Sequence, residues 1–335
     1  MPLAAIDDFS VLEGIVGSVE GICDIGDGWF EVRIGLAAAT MLRADGSGDA
    51  GQLLNMMFGN ASLLADVVVA DVEFAPGFLA RFGGPRHGIA GLRARVGAGS
   101  RALTCAALKP QGLAPEALAG LAHRLALGGV DYIKDDHGLA DQAYSPFAAR
   151  VVACAAAVRE ACGQSGHRTR YVPSLSGDLD QLRVQVAIAR EAGIDAVMVA
   201  PMISGVSNVQ ALAASNPDFS IFAHPSLGGA ARIAPELLFG KIFPLIGADA
   251  VVFPTFGGRF GFSRGTCRDL AGNTRRLGAI PVPAGGMTLA RVPEKLDFYG
   301  PETMLLVGGA LLLARENLTH ETAAFTEAVA RHAYG

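Results

Sequence analysis

From about residue 102 onward the chain alternates short apolar runs with amphipathic stretches, eight of each, and this alternation constrains the fold most. The apolar runs fall at 102–108, 130–135, 169–175, 196–201, 219–224, 250–255, 280–284 and 304–308. Helix-like stretches follow them, near 114–127, 146–162, 178–192, 207–215, 234–246, 264–277, 289–298 and 317–332. Parallel strands need crossover connections, and a helix after every strand supplies them. Eight such units predict a closed (β/α)8 barrel. A doubly wound open sheet is the alternative. Its first turn is usually Gly-rich, whereas the first strand here ends in Lys109-Pro110.

Residues 1–100 read differently. Val19–Cys23 and Trp29–Ile34 are strand-like and joined by Gly26-Asp27-Gly28, a hairpin signal. Leu53–Phe58 reads as helix and Asp66–Phe74 as strand. These elements predict a small α+β domain over 1–85 and a barrel over 86–335, with a Gly-rich linker spread over 77–100.

Composition sets the outer bounds. Of 335 residues, 51% are hydrophobic and 18% charged, enough for a large core and too apolar for disorder. A net charge of −5 without a basic cluster argues against a nucleic-acid partner. Five cysteines without a CxxC pair fit reduced thiols in a cytoplasmic protein. The start lacks a signal-peptide pattern, and the apolar run 304–314 is too short to cross a bilayer, so no membrane partner is expected.

In a barrel the C-terminal strand ends converge on one mouth, where chemistry sits. The most informative end is Gly128-Gly129-Val130-Asp131-Tyr132-Ile133-Lys134-Asp135-Asp136-His137, an apolar run that stops in four ionisable residues. The first strand ends in Lys109. The others supply Ser174 and Ser176, His224, Thr255 and Arg259, Gly285-Gly286, and Gly308-Gly309. Lys134 beside Asp135 and Asp136 reads either as an ion pair at a strand end or as part of a metal site. Lys109, before the stiff Pro110, reads as a surface cap or as an acid/base group aimed into the mouth. His224 is a satisfied core histidine or a site residue. The glycine pairs either turn tight corners or bring backbone N–H groups to a phosphate.

The run Ala106-Ala107-Leu108-Lys109-Pro110-Gln111-Gly112-Leu113 and the run ending in His137 together resemble the two lysine strands of the RuBisCO large-subunit family. The likeness resumes near Val19, passes through Leu54-Asn55-Met56-Met57-Phe58-Gly59-Asn60 and reaches the C-terminus. The first strand and helix of the family's N-terminal domain have no counterpart, so the ferredoxin-like α+β domain reads as truncated. The resemblance implies that Lys109 is an acid/base. It implies that Lys134 is carbamylated and binds Mg2+, or another divalent metal, with Asp136. The third ligand position, normally a carboxylate, is His137, which oxygen-seeking Mg2+ tolerates poorly. His137 then reads as a ligand for a different metal, as an acid/base, or as part of a metal-free site. The resemblance also implies a homodimer in which Asn60 is lent to the partner's site.

Several departures argue against CO2 fixation. Pro225 stands in place of a phosphate-gripping arginine, Phe253 in place of a phosphate-binding histidine, and Gln111 in place of a lysine. Arg259 is the nearest cation to the family's mobile-loop lysine. The pattern favours a monophosphate held by Gly286, Gly308 and Gly309 over a bisphosphate. The Lys-Asp-Asp-His end with His-Pro and Phe-Pro looks most like decarboxylases of phosphorylated 3-oxo sugar acids. Decarboxylation of a 3-oxo-isoapionate-4-phosphate-like acid is therefore the expectation. The alternatives are a sugar-monophosphate enolase or isomerase of the methylthioribose salvage type, and a non-catalytic binding barrel.

Overall fold

The computed structural model describes residues 3–334 and divides the chain into two compact units. One comprises the residues up to Val69 together with Glu73–Phe82, and the other Ala70–Val72 together with the chain from Gly83 onward.

The first unit is built on an antiparallel hairpin, β1 (Ser18–Gly26) and β2 (Trp29–Gly35). Its turn carries Gly26, Asp27 and Gly28 at positive φ, the geometry the Gly-Asp-Gly triplet predicts. An irregularity between Val19 and Gly21 shifts the register, so Val19 opposite Ile34 and Ile22 opposite Val32 share one face. That apolar face is exposed within this unit. The helix Ala50–Phe58 is started by Asp49, whose side chain accepts from the Gln52 N–H, and it buries Leu53 and Phe58.

The expected strand Asp66–Phe74 is not formed. The segment alternates half-buried and exposed residues without a strand ladder. At Val72, part of the larger unit, the carbonyl accepts instead from Lys241 Nζ (2.9 Å), which also pairs with Asp71 at 2.6 Å. Alternation predicts an extended chain, but only a neighbouring strand makes it sheet.

The second unit is the barrel. Its strands are β3 (Leu103–Leu108), β4 (Tyr132–Asp135), β5 (Arg170–Val172), β6 (Ala196–Val199), β7 (Ser220–Ala223), β8 (Ala250–Pro254), β9 (Ile280–Ala284) and β10 (Met304–Val307). All pairings are parallel and follow chain order, with β10 returning to β3. A bridge between Ser174 and Met198 closes the seam between β5 and β6. Both elements of the expected architecture, a small antiparallel N-terminal sheet and an eight-stranded parallel barrel, are present.

The interior is packed by alternate residues of each strand. Cys105, Ala107, Tyr132, Val172, Met198, Phe222, Val252, Val282 and Leu306 belong to one buried cluster. Two residues further along, the same inward face reaches Lys109, Lys134, His224, Ala284 and Gly308 (period two along a strand). The mouth residues are thus the next layer above the apolar core.

The expected linker over 77–100 is also corrected. Gly88–Val96 is a helix, and its Leu92 and Val96 join the barrel's core cluster. Tyr132 donates from its hydroxyl to the Leu92 carbonyl at 2.8 Å. Asp249 starts this helix from a distance, accepting from the N–H groups of His87 and Gly88. The helix closes the end of the barrel opposite the mouth.

Candidate functional site

The site is organised around Asp136, which follows β4. Its carboxylate is almost fully buried and lies 2.8 Å from Lys109 Nζ. It also accepts from Gln111 Nε2 at 3.2 Å and from the Gly138 N–H at 3.0 Å. Burial alone would raise its pKa. The Lys109 ammonium, the Gly138 N–H and Gln111 outweigh burial and hold it well below the usual carboxylate range. His137 Nδ1 stands 3.5 Å from the same carboxylate. The His137 ring stacks on His224, centroids 4.5 Å apart and planes 7° from parallel. Lys109, Asp136, His137 and His224, drawn from three strand ends, therefore form one contact cluster.

Lys134 is 3% exposed, and its Nζ donates to the Asp135 carbonyl at 2.9 Å. Burial pushes its pKa below that of an ordinary lysine. Burial also lowers the pKa of His137, with Lys134, Lys109 and Arg259 adding to the effect against Asp136. For His224, burial and the nearby Lys134 and His137 push it down to about 2. Burial thus favours the neutral form of both imidazoles.

Asp135 turns to the other side of β4 and has a different task. Its carboxylate takes Arg150 Nε at 3.1 Å, the Tyr171 hydroxyl at 2.6 Å and the Ser174 N–H at 3.1 Å. Arg150 and Asp135 are both fully buried. This network ties the end of β4 to β5 and to the helix Phe147–Ser165, and so fixes the backbone that presents Lys134 and Asp136.

The remaining expected residues divide. Arg259 lies exposed on the loop after β8, its guanidinium 4.6 Å from the Phe260 ring centroid. Gly285 and Gly286 take φ of +87° and +69°, the consecutive left-handed geometry that glycine allows. Gly308 precedes a helix of only four residues, Gly309–Leu312, so a helix dipole adds little there. Thr255 is not a mouth residue, since its buried hydroxyl pairs with Tyr299 at 2.9 Å. Ser174 is buried, and the Ser176 backbone is bound by Gln185. Phe253 packs on Tyr299 behind the barrel wall, and Pro254 takes the inward position on β8. Asn60 is exposed in the first unit at the start of the 3-10 turn Asn60–Leu63.

Two residues were missed from sequence. Arg291 donates to the carbonyls of Phe256, Gly257 and Gly286, joining the loop after β8 to the glycine turn after β9. Lys295 is fully buried and donates to the Phe256 carbonyl at 2.9 Å. Lys295 shares a stripe with Val292, Leu296 and Tyr299, all buried. That helical spacing was a readable signal. Arg291 carries none.

With this geometry in place, comparison with known proteins is decisive. Residues 88–262 match the profile of the ribulose bisphosphate carboxylase large chain, catalytic domain. The chain belongs to that family. It is 58% identical over 98% of its length to 5-methylthioribulose-1-phosphate isomerase of Rhodospirillum rubrum, covering 88% of that protein. It is 55% identical over 99% of its length to ribulose bisphosphate carboxylase-like protein 1 of Rhodopseudomonas palustris, covering 90% of it. Among solved structures, a Rubisco-like protein from Rhodopseudomonas palustris superposes with a TM-score of 0.91 at 51% identity, over all of this chain and 91% of the other. The family expectation stands. The placement in the decarboxylase branch does not, because these relatives are an isomerase and a RuBisCO-like protein. Among the described residues no helix is long and apolar enough to cross a membrane.

A Mg2+ ion is what the family resemblance implies. Among the described residues no group of three or more His, Cys, Asp or Glu side chains is placed to hold a metal. Asp136 is spent on Lys109, Gln111 and Gly138, and Asp135 faces Arg150. An amine at Lys134 is not an oxygen ligand. As it stands the set does not fit Mg2+, and only conversion of Lys134 to a carbamate would supply the missing oxygens.

Proposed function

We propose that this protein isomerises a sugar monophosphate of the 5-methylthioribulose-1-phosphate type. The carrying observation is the contact cluster of Lys109, Asp136, His137 and His224 beside buried Lys134, in a chain 58% identical to an isomerase of that substrate. Moving a carbonyl along a sugar moves protons at two carbons and at two oxygens. One proton leaves the carbon next to the carbonyl, giving an enediolate, and one returns to the former carbonyl carbon, while the hydroxyl on the first carbon loses its proton and the former carbonyl oxygen gains one. No atoms are gained or lost.

The cluster supplies what these steps need. Lys109 reaches the mouth on the inward face of β3 and is held by Asp136, which sets its position as the proton-carrying group. Lys134 presents an amine whose burial favours the neutral form, the form that takes a proton or reacts with CO2. Gly286, Gly308 and Gly309 lie at the ends of the seventh and eighth barrel strands, where a phosphate would be received by backbone N–H groups. Asn60 is proposed to reach the site of a partner chain in a homodimer.

The test is direct. Purified protein is incubated in D2O with 5-methylthioribulose-1-phosphate and followed by proton and phosphorus NMR. The expected result is a new monophosphate isomer with solvent deuterium at a carbon next to the carbonyl. Unchanged substrate without exchange overturns the proposal. Release of CO2 from a phosphorylated 3-oxo acid, with no isomerisation, would return the decarboxylase reading.

A further inference from the structure

The ring of His224 meets Ser226 at a single nitrogen. It follows β7, and its backbone N–H extends the ladder to the Val199 carbonyl at 2.8 Å. Pro225, Ser226 and Leu227 then turn back to Gly228, whose N–H donates to the Pro225 carbonyl at 2.9 Å. Leu227 adopts φ +63°, an uncommon conformation for a branched residue, and its side chain is exposed. The turn places Ser226 directly against the His224 ring. The Ser226 N–H donates to Nδ1 at 3.3 Å, and Ser226 Oγ lies 2.8 Å from the same nitrogen. A backbone N–H can only donate, so Nδ1 accepts. A neutral imidazole then carries its one proton on Nε2. Among the described residues Nε2 has no protein partner.

We propose that His224 acts as a neutral Nε2–H donor to a substrate oxygen, and that Ser226 is the positioning residue that fixes this tautomer. The inference rests on the isomerase reading and deepens it. In that reaction the substrate carbonyl oxygen gains negative charge as the enediolate forms. A donor already aimed at the oxygen stabilises that charge without giving up its proton. The alternative, His224 as a base, needs a free lone pair facing the mouth. Its lone pair is on Nδ1 and is used by Ser226. An imidazolium would carry a proton on Nδ1 as well, and that proton would face the Ser226 N–H. The His137 ring stacks on that of His224, centroids 4.5 Å apart.

The experiment combines a substrate-free readout with kinetics. Protein labelled with 15N-histidine is examined by long-range proton–nitrogen NMR, and the His224 signals are assigned by their loss in His224→Gln. The expected pattern is an unprotonated Nδ1 and a protonated Nε2, and a protonated Nδ1 would overturn the inference. In isomerase assays His224→Gln, which keeps an N–H donor and has no basic nitrogen, should outperform His224→Phe clearly. Equal loss in both would exclude the donor role. Ser226→Ala should lower kcat by about three- to tenfold with KM little changed, as loss of one hydrogen bond implies. Ser226→Thr should restore it, and an unaffected Ser226→Ala would remove Ser226 from its role. A wild-type protein with no isomerase activity would sink the function proposed above, while the same sample would still report the tautomer. A protonated Nδ1 in an active isomerase would sink this inference alone.

Discussion

At the residue scale, the chemistry turns on how few unpaired charges the site contains. Asp136 holds Lys109, Gln111 and the Gly138 N–H at once. Lys109→Met should therefore lower turnover by about 10²–10⁴-fold, the usual contribution of an acid/base group, with KM changed little. A variant within threefold of wild type would exclude the role. Charge-poor strand ends also predict no carboxylase activity. Pro225 and Pro254 offer no cation or imidazole to a second phosphate. Purified protein given ribulose-1,5-bisphosphate and labelled bicarbonate should fix no label. His224 makes a further prediction about pH. Its folded-state pKa is depressed from 6.5 to about 2, so its neutral form is favoured by folding. The unfolded chain then binds more protons between those values, and stability falls as pH drops below about 6.5. Denaturant midpoints should fall more steeply from pH 7 to 5 in wild type than in His224→Gln. Parallel curves would refute it. Lys109, Lys134, Asp136, His137 and His224 were legible because each interrupts an apolar run. Ser226 and Thr255 were not. A hydroxyl beside a strand end reads the same whether it meets a histidine ring or Tyr299.

At the element scale, the end of β4 depends on a charge pair that faces away from the mouth. Asp135 and Arg150 are both fully buried, with Tyr171 and Ser174 completing the carboxylate's bonds. Asp135→Asn would leave the Arg150 cation without its counter-charge. Removing one partner of such a pair typically costs about 3–5 kcal/mol. Thermal unfolding should show a loss of that order. The double change Asp135→Asn with Arg150→Met should recover part of it, because the buried cation is gone as well. A single variant as stable as wild type, or a double variant no better than the single, would refute the account. The barrel strands were readable because each is a short run buried on both faces. The helix Gly88–Val96 was hidden by its glycines and arginines. Its start is secured by Asp249, about 160 residues away, which no local pattern records. The segment 66–74 shows the reverse failure, a strand pattern that pairs at no more than the single bridge residue Val69.

At the scale of the whole molecule, the proposal joins two chains in one site. Asn60 is fixed locally by Gly59, where any side chain would collide with the Asn55 carbonyl and side chain. An exposed asparagine on so constrained a turn is suited to reach another surface rather than to stabilise its own unit. In a homodimer with shared sites, each mouth takes Lys109 from one chain and Asn60 from the other. Asn60→Ala and Lys109→Met should each be nearly inactive alone, for different reasons. When the two are unfolded together and refolded, a mixed dimer has one mouth carrying both changes and one carrying neither. Activity should therefore return on mixing, and sedimentation should show dimers before and after. If each site is built from a single chain, every mouth in the mixture keeps one defect and no activity returns. A monomer in sedimentation, with Asn60→Ala fully active, would refute the shared site as well.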